Sequence, residues 1–154
     1  MLDIEEFEKK IDKKSRLLGV DPGRKRIGIA ISDENKIIAT PYTTIIKNNF
    51  SELLIQISKI IKENDIKGIV IGNPINLDGS NSQSSQSAKD LAINLSKNIA
   101  IPITLWDERL SSRGAFNLSG DLNVNTTKKI SKLDENSAAF ILQGALDFLR
   151  REIT

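Results

Sequence analysis

The stretch 17–33 constrains this chain more than any other. Leu17-Leu18-Gly19-Val20 is apolar and ends in a carboxylate, Asp21. Pro22-Gly23 and the basic triplet Arg24-Lys25-Arg26 follow, and Ile27-Gly28-Ile29-Ala30-Ile31 forms a second apolar run. Two such runs around a Pro-Gly pair predict a β-hairpin. Pro presets φ and Gly tolerates φ > 0, which suits a type II turn. The first strand then delivers Asp21 to the end of a sheet, where a rigid scaffold gives way to a loop and chemistry is commonly placed. A carboxylate beside three cations suits a phosphate substrate that meets the acid through a metal ion.

The remaining pattern alternates helix and strand. Residues 2–14 are polar, with Ile4, Phe7 and Ile11 at helical spacing, so residues 1–15 read as a helical extension and 16–154 as one domain. Strands are expected over 16–21, 27–32 and 37–46, the last interrupted near Pro41 as an edge strand tolerates. Asn49 and Glu52 have the spacing of a capping box ahead of a helix whose face carries Phe50, Leu53, Leu54, Ile57, Ile60 and Ile61. Ile69-Val70-Ile71 marks a buried parallel strand over 67–72. Residues 73–87 are small and polar, and read as a linker or as a substrate-facing loop. The helix from about Ser84, with Ala88, Leu91, Ala92 and Leu95 on one face, favours the loop within one core. A strand over 101–106, a short helix over 111–118, a mobile polar segment over 119–132 and a last helix from near Asp134 complete the chain. This order predicts an α/β fold: a five-stranded mixed sheet, order 3-2-1-4-5, flanked by helices. The carboxyl ends of strands 1, 4 and 5 then share one rim, where such sheets bind ligands.

The chain has 154 residues, enough for one domain with a core, and neither Cys nor His. Thiol nucleophiles, His bases, Ser-His-Asp triads and the usual zinc sites are excluded. Any enzyme chemistry must come from Asp, Glu, Lys, Arg, Ser, Thr or a bound hard metal, and carboxylates with Mg²⁺ are the economical answer. The net charge of +2 establishes no nucleic-acid partner. The clusters at Arg24–Arg26, at Lys128, Lys129 and Lys132, and at Arg150 and Arg151 say more, although each also reads as a solvated face. No apolar run is long enough to span a bilayer, and the charged N-terminus is no secretory signal. The absence of Cys suits the cytoplasm.

Four acids compete for the rim. Asp21 could simply accept backbone N–H bonds in its turn. Asp107 and Glu108 are neighbours whose side chains point to opposite faces of a strand, so one of them faces Asp21. Glu108 has the longer reach and is preferred, with Asp107 in reserve; a salt bridge to Arg109 or Arg113 is the plainer role for either. Asp134 suits a helix N-terminus, yet a helix start docked on the rim could also aim it at Asp21. Three carboxylates on one rim repel one another unless a cation sits between them. Two Mg²⁺ ions about 3.5–4 Å apart would neutralise them, activate a water and steady the leaving oxygen of a phosphodiester.

Residues 20–33 resemble the opening motif of the YqgF (RuvX) family, provisionally assigned as pre-16S rRNA nucleases and once called Holliday junction resolvase-like. Gly72-Asn73-Pro74-Ile75-Asn76-Leu77-Asp78-Gly79-Ser80, Asp107-Glu108-Arg109-Leu110-Ser111-Ser112 and Asp134-Glu135-Asn136-Ser137-Ala138-Ala139 are also similar to that family, in its order. The resemblance runs from Leu17 to Leu149 and leaves out the N-terminal helix. It implies an RNase H-like fold and a metal-dependent endonuclease using Mg²⁺ or Mn²⁺, held by Asp21, Glu108 and Asp134. It implies a role in maturing the 5′ end of 16S rRNA in the bacterial cytoplasm. Related junction resolvases carry an acid at the end of strand 4, where this chain has Gly72-Asn73-Pro74, so the second acid must come from strand 5 and the metal count stays open. Arg24, Lys25, Arg26, Asn73, Arg109, Lys128 and Lys129 are the expected contacts to the substrate backbone. The partner expected is pre-16S rRNA, with structured DNA as the alternative, no membrane, and a monomer or weak homodimer. Aromatic residues are 5% of the chain, which disfavours stacking on an aromatic platform and leaves Trp106 to the core. A Holliday junction resolvase and a non-catalytic RNA-binding ribosome-assembly factor are the rival readings. An actin-like or sugar-kinase ATPase needs two such domains and is set aside.

Overall fold

The computed structural model describes residues 1–74, 83–108 and 133–151, with backbone alone for residues 84 and 133–135. Its elements are α1 (Ile4–Lys10), β1 (Arg16–Pro22), β2 (Arg26–Ser32), β3 (Ala39–Ile46), α2 (Phe50–Asn64), β4 (Ile66–Asn73), α3 (Gln83–Asn98), β5 (Ile103–Asp107) and α4 (Leu133–Leu149). The five strands form one sheet in the order β3-β2-β1-β4-β5, as the crossovers predict. β1 is central, antiparallel to β2 with Val20 opposite Ile29, and parallel to β4 with Val20 opposite Ile71. β5 adds in parallel, with Gly72 opposite Trp106.

Strand alternation divides the core in two. Leu18, Val20, Ile29, Ile69 and Ile71 pack beneath Leu53 and Ile57 of α2 and Ala92 and Leu95 of α3. Leu17, Ala30, Val70 and Trp106 pack on the other face against Ala138, Leu142 and Leu146 of α4, with Phe7 of α1. That second face is lined with small residues. A Cβ on Gly19 would stand 2.7 Å from the Leu142 Cβ and 3.0 Å from the Ala138 carbonyl oxygen, so α4 sits closer than any side chain at 19 allows. At its middle, Gln143 accepts the Ala39 N–H at 2.9 Å and donates to the Ile37 carbonyl at 2.9 Å. Those residues mark the end of the sheet opposite Asp21, so α4 starts toward the rim that carries Asp21.

Local chemistry sets the ends of the elements. Asn49 caps α2 by accepting the Glu52 N–H at 2.9 Å, while Glu52 turns its carboxylate to the Asn48 amide at 3.1 Å instead of closing the box. Asp65 ends α2 in the left-handed region, φ 52°. β3 begins at Ala39, later than expected, because Asp33 Oδ1 accepts the N–H groups of Ile37 and Ile38 at 2.8 and 2.9 Å. Its pairing steps from Thr43 to Pro41, leaving Tyr42 as the extra residue of a bulge on the edge strand. β5 begins at Ile103, just after Pro102, which lacks an N–H for the ladder. The β1–β2 connection is wider than a type II turn: Pro22 pairs with Ile27, and Gly23 lies outside the left-handed region. Glycine is required there because a Cβ would overlap the carbonyl oxygen of Arg26. The expected helix over 111–118 and the mobile segment over 119–132 lie outside the described residues.

Two stability predictions follow from these contacts. Gly19→Ala is expected to lower the urea-unfolding free energy by about 1–3 kcal/mol, the usual cost of overpacking. Asn49→Ala is expected to cost about 1 kcal/mol through the lost cap. Unchanged unfolding midpoints would contradict the close packing and the cap respectively.

Candidate active site

On β1, alternation puts Leu17, Gly19 and Asp21 on the α4 face. On β5 it puts Thr104 and Trp106 there, and Glu108 is the next residue in that sequence. The Glu108 carboxyl carbon stands 3.2 Å from where a Cβ on Gly72 would be. Glycine at the end of β4 thus leaves the space into which the Glu108 carboxyl folds. Burial, then the charges of Asp21 and Asp107, push that carboxyl up to about 7. Asp21 and Glu108 therefore stand within each other's field at one rim. Asp107 pairs in register with Asn73, and alternation gives both to the α3 face.

The other residues expected at the site distribute unevenly. Arg24 and Lys25 are exposed in the β1–β2 turn, and Arg26 opens β2. Asn73 is only 7% exposed, and its Oδ1 accepts the hydroxyl of the fully buried Ser85 at 2.7 Å. It thus fastens the end of β4 to α3 beneath the rim. Arg109, Lys128 and Lys129 lie outside the described residues. Asp134 is in the first turn of α4, one turn before Ala138, a step of about 6 Å. Asp21 is two strand residues beyond Gly19, a step of about 6.6 Å. The Ala138 carbonyl lies over Gly19, so the start of α4 is directed toward the rim of Asp21. Among the described residues no three acids form a group able to hold a metal. Sequence reasoning missed the part played by Gly72; its signal was a glycine closing the otherwise apolar run Ile69-Val70-Ile71.

The donor chemistry fits a hard divalent cation. Asp21 and Glu108 offer carboxylate oxygens, the ligands that Mg²⁺ and Mn²⁺ prefer. Burial raises Glu108 first and the neighbouring charges of Asp21 and Asp107 add to it, so a cation between the carboxylates would offset the repulsion.

The arrangement defines a class first. A central strand ends in an acid, and a last helix starts at the same rim. The structure of Thermus thermophilus RuvC in complex with a Holliday junction substrate superposes with a TM-score of 0.56, covering 87% of this chain and 94% of that one at 10% identity. A second structure of T. thermophilus RuvC gives 0.55 at 9% identity, covering 86% of this chain and 95% of that one. The fold is RNase H-like.

Sequence then narrows the class to a family. The RuvX family, described as Holliday junction resolvase, matches residues 15–148. A Pelagibacter ubique protein provisionally named pre-16S rRNA nuclease is 54% identical over 149 residues, covering 97% of this chain and 99% of its own length. A Rhodobacter capsulatus protein of the same name is 40% identical over 146 residues, covering 95% and 92%. This chain belongs to the RuvX family.

The raised carboxyl makes stability depend on pH. Native Glu108 holds a proton up to about 7, whereas the ordinary value is 4.5. Its contribution to stability is therefore present below about 4.5 and lost as pH rises toward 7. In EDTA, Glu108→Gln is expected to be more stable than wild type at pH 8 by on the order of 1–3 kcal/mol, and no more stable at pH 4. Urea unfolding at both pH values measures this. A gain equal at both would contradict the buried, acid-crowded position of Glu108.

Proposed function

We propose that this protein is a metal-dependent endonuclease that hydrolyses phosphodiester bonds in the precursor of 16S rRNA. One observation carries the reading: Asp21 and Glu108, far apart in sequence, stand at the same sheet rim within each other's field. In a chain without His or Cys, that pair is the best-placed machinery for hydrolysis. Asp21 and Glu108 would hold Mg²⁺ or Mn²⁺ with Asp134 as third ligand and Asp107 in reserve. When bound, the cation supplies charge neutralisation and an activated water. The chain itself fixes the two carboxylates on rigid strand ends, so their geometry is set before substrate arrives. Arg24, Lys25 and Arg26 hold the substrate by its phosphates beside the acids, and Arg109, Lys128 and Lys129 extend that contact. Such contacts orient a strand without reading its sequence.

The names of the relatives support the rRNA substrate, and the protein is proposed to act in the cytoplasm as a monomer or weak homodimer. Among the described residues no helix is long and apolar enough to cross a membrane. A second reading, a Holliday junction resolvase, draws on the family's description and on the RuvC fold. Resolution needs paired cuts in two strands, hence a symmetric dimer. Assays on a pre-16S 5′-end transcript and on a four-way DNA junction separate the two.

With Mg²⁺ or Mn²⁺, purified protein is expected to cut the transcript. EDTA, Asp21→Asn and Glu108→Gln are each expected to lower the rate by roughly 10²-fold or more with circular dichroism unchanged. Mn²⁺ is also expected to raise the melting temperature of wild type and not of Asp21→Asn. Cutting that survives all three treatments would overturn the assignment.

A further inference from the structure

A hollow of about 450 Å³ lies across the rim from the acids, between the β1–β2 turn and the first turns of α3. Pro22 and Gly23 form one wall, Arg24 and Lys47 bring charge, and Gln83, Gln86 and Ser87 come from α3. Two contacts build it. The Lys47 N–H donates to the Lys25 carbonyl at 2.9 Å, which holds the end of β3 against the turn. The buried Ser85–Asn73 hydrogen bond holds the start of α3 against the end of β4. Lys47 and the α3 residues play no part in the site described above.

The chemistry of the lining selects an anion. Among the described residues it carries two cations and no carboxylate. Gln83, Gln86 and Ser87 supply neutral donors; Gln86 gives one amide hydrogen to Asp90 at 3.0 Å and retains the other. The first amides of α3 have no carbonyl partner inside the helix, and its dipole favours negative charge there. Arg24, Lys47, Gln83, Gln86 and Ser87 are all exposed, so the hollow encloses no base and suits a chain passing over it. Pro22 lines it and Asp21 is the preceding residue, so a strand at the acids reaches it by crossing the turn.

We infer that this hollow is a second phosphate-binding site, which holds the backbone of the substrate strand beside the scissile position. The inference rests on the nuclease reading above. It adds Lys47, Gln83, Gln86 and Ser87 to the residues that grip substrate. The site counters the repulsion that clustered carboxylates exert on a polyanion, by placing cations on the opposite side of one turn.

The test compares wild type, Lys47→Glu, Gln86→Glu and the control Lys97→Glu on the last turn of α3. Fluorescence anisotropy with a labelled single-stranded RNA oligonucleotide gives Kd over a series of salt concentrations, and steady-state cleavage gives KM and kcat. Lys47→Glu and Gln86→Glu are expected to raise Kd and KM about tenfold with kcat within a factor of about two, and Lys47→Glu to flatten the salt dependence by about one phosphate contact. Lys97→Glu is expected to behave as wild type. If wild type binds and cuts while both hollow variants match Lys97→Glu, the hollow is no phosphate site and the nuclease reading stands. If inorganic phosphate or a mononucleotide binds wild type as tightly as the oligonucleotide, and Lys47→Glu abolishes it, the hollow serves a free phosphate ligand and the inference fails. If wild type neither binds nor cuts the oligonucleotide, the inference and the nuclease reading fall together.

Discussion

The approach of α4 to the sheet is the contact on which the site depends. Gly19 has no Cβ, and the Ala138 carbonyl and Leu142 occupy the space one would need. A close-packed interior does not absorb such an overlap without moving an element. The helix lies over β1, anchored at one end of the sheet by Gln143 and directed at its start toward Asp21. Gly72 repeats the device on β4: a Cβ there would stand 2.6 Å from the Ile141 Cδ1 and 3.2 Å from the Glu108 carboxyl carbon. One stripe of small residues thus seats the helix and makes room for an acid.

The two faces of the sheet divide the work. The α4 face carries Asp21 and Glu108, and burial, then the charges of Asp21 and Asp107, raises the Glu108 carboxyl to about 7. The α3 face carries Asn73 and Asp107, paired in register. There the rim is braced by the Asn73–Ser85 hydrogen bond and opens into a hollow with Arg24 and Lys47. Among the described residues, the Pro22-Gly23 connection joins Asp21 on one side to Arg24 and Lys47 on the other. A polyanion laid across that connection would find carboxylates to hold a metal on one side and cations on the other.

Much of this was legible in the sequence. The sheet order followed from the hairpin and the right-handed crossovers, both of which rest on chain chirality rather than on particular side chains. Alternation establishes only that one of Asp107 and Glu108 faces Asp21, and the longer reach of Glu108 favours it; Gly72 leaves space beside the Glu108 carboxyl. What could not be read were effects of one residue on a distant one. Asp33 captures the Ile37 and Ile38 amides and shortens β3. Gly23 avoids the Arg26 carbonyl instead of supplying a left-handed turn. Asn73 looked like a loop residue free to touch nucleic acid, and Ser85, twelve positions on, takes its carbonyl oxygen into the core. Lys47 gave no signal at all, because only the β2–β3 pairing brings it to the β1–β2 turn.

The central claim is that Asp21 and Glu108 share one divalent cation at the rim. Crystals grown with saturating Mn²⁺ and measured at the manganese absorption edge test it directly. An anomalous peak is expected with carboxylate oxygens of both Asp21 and Glu108 at coordination distance, about 2.0–2.3 Å. A peak ligated by other residues, or no peak with the two carboxylates turned apart, would contradict it.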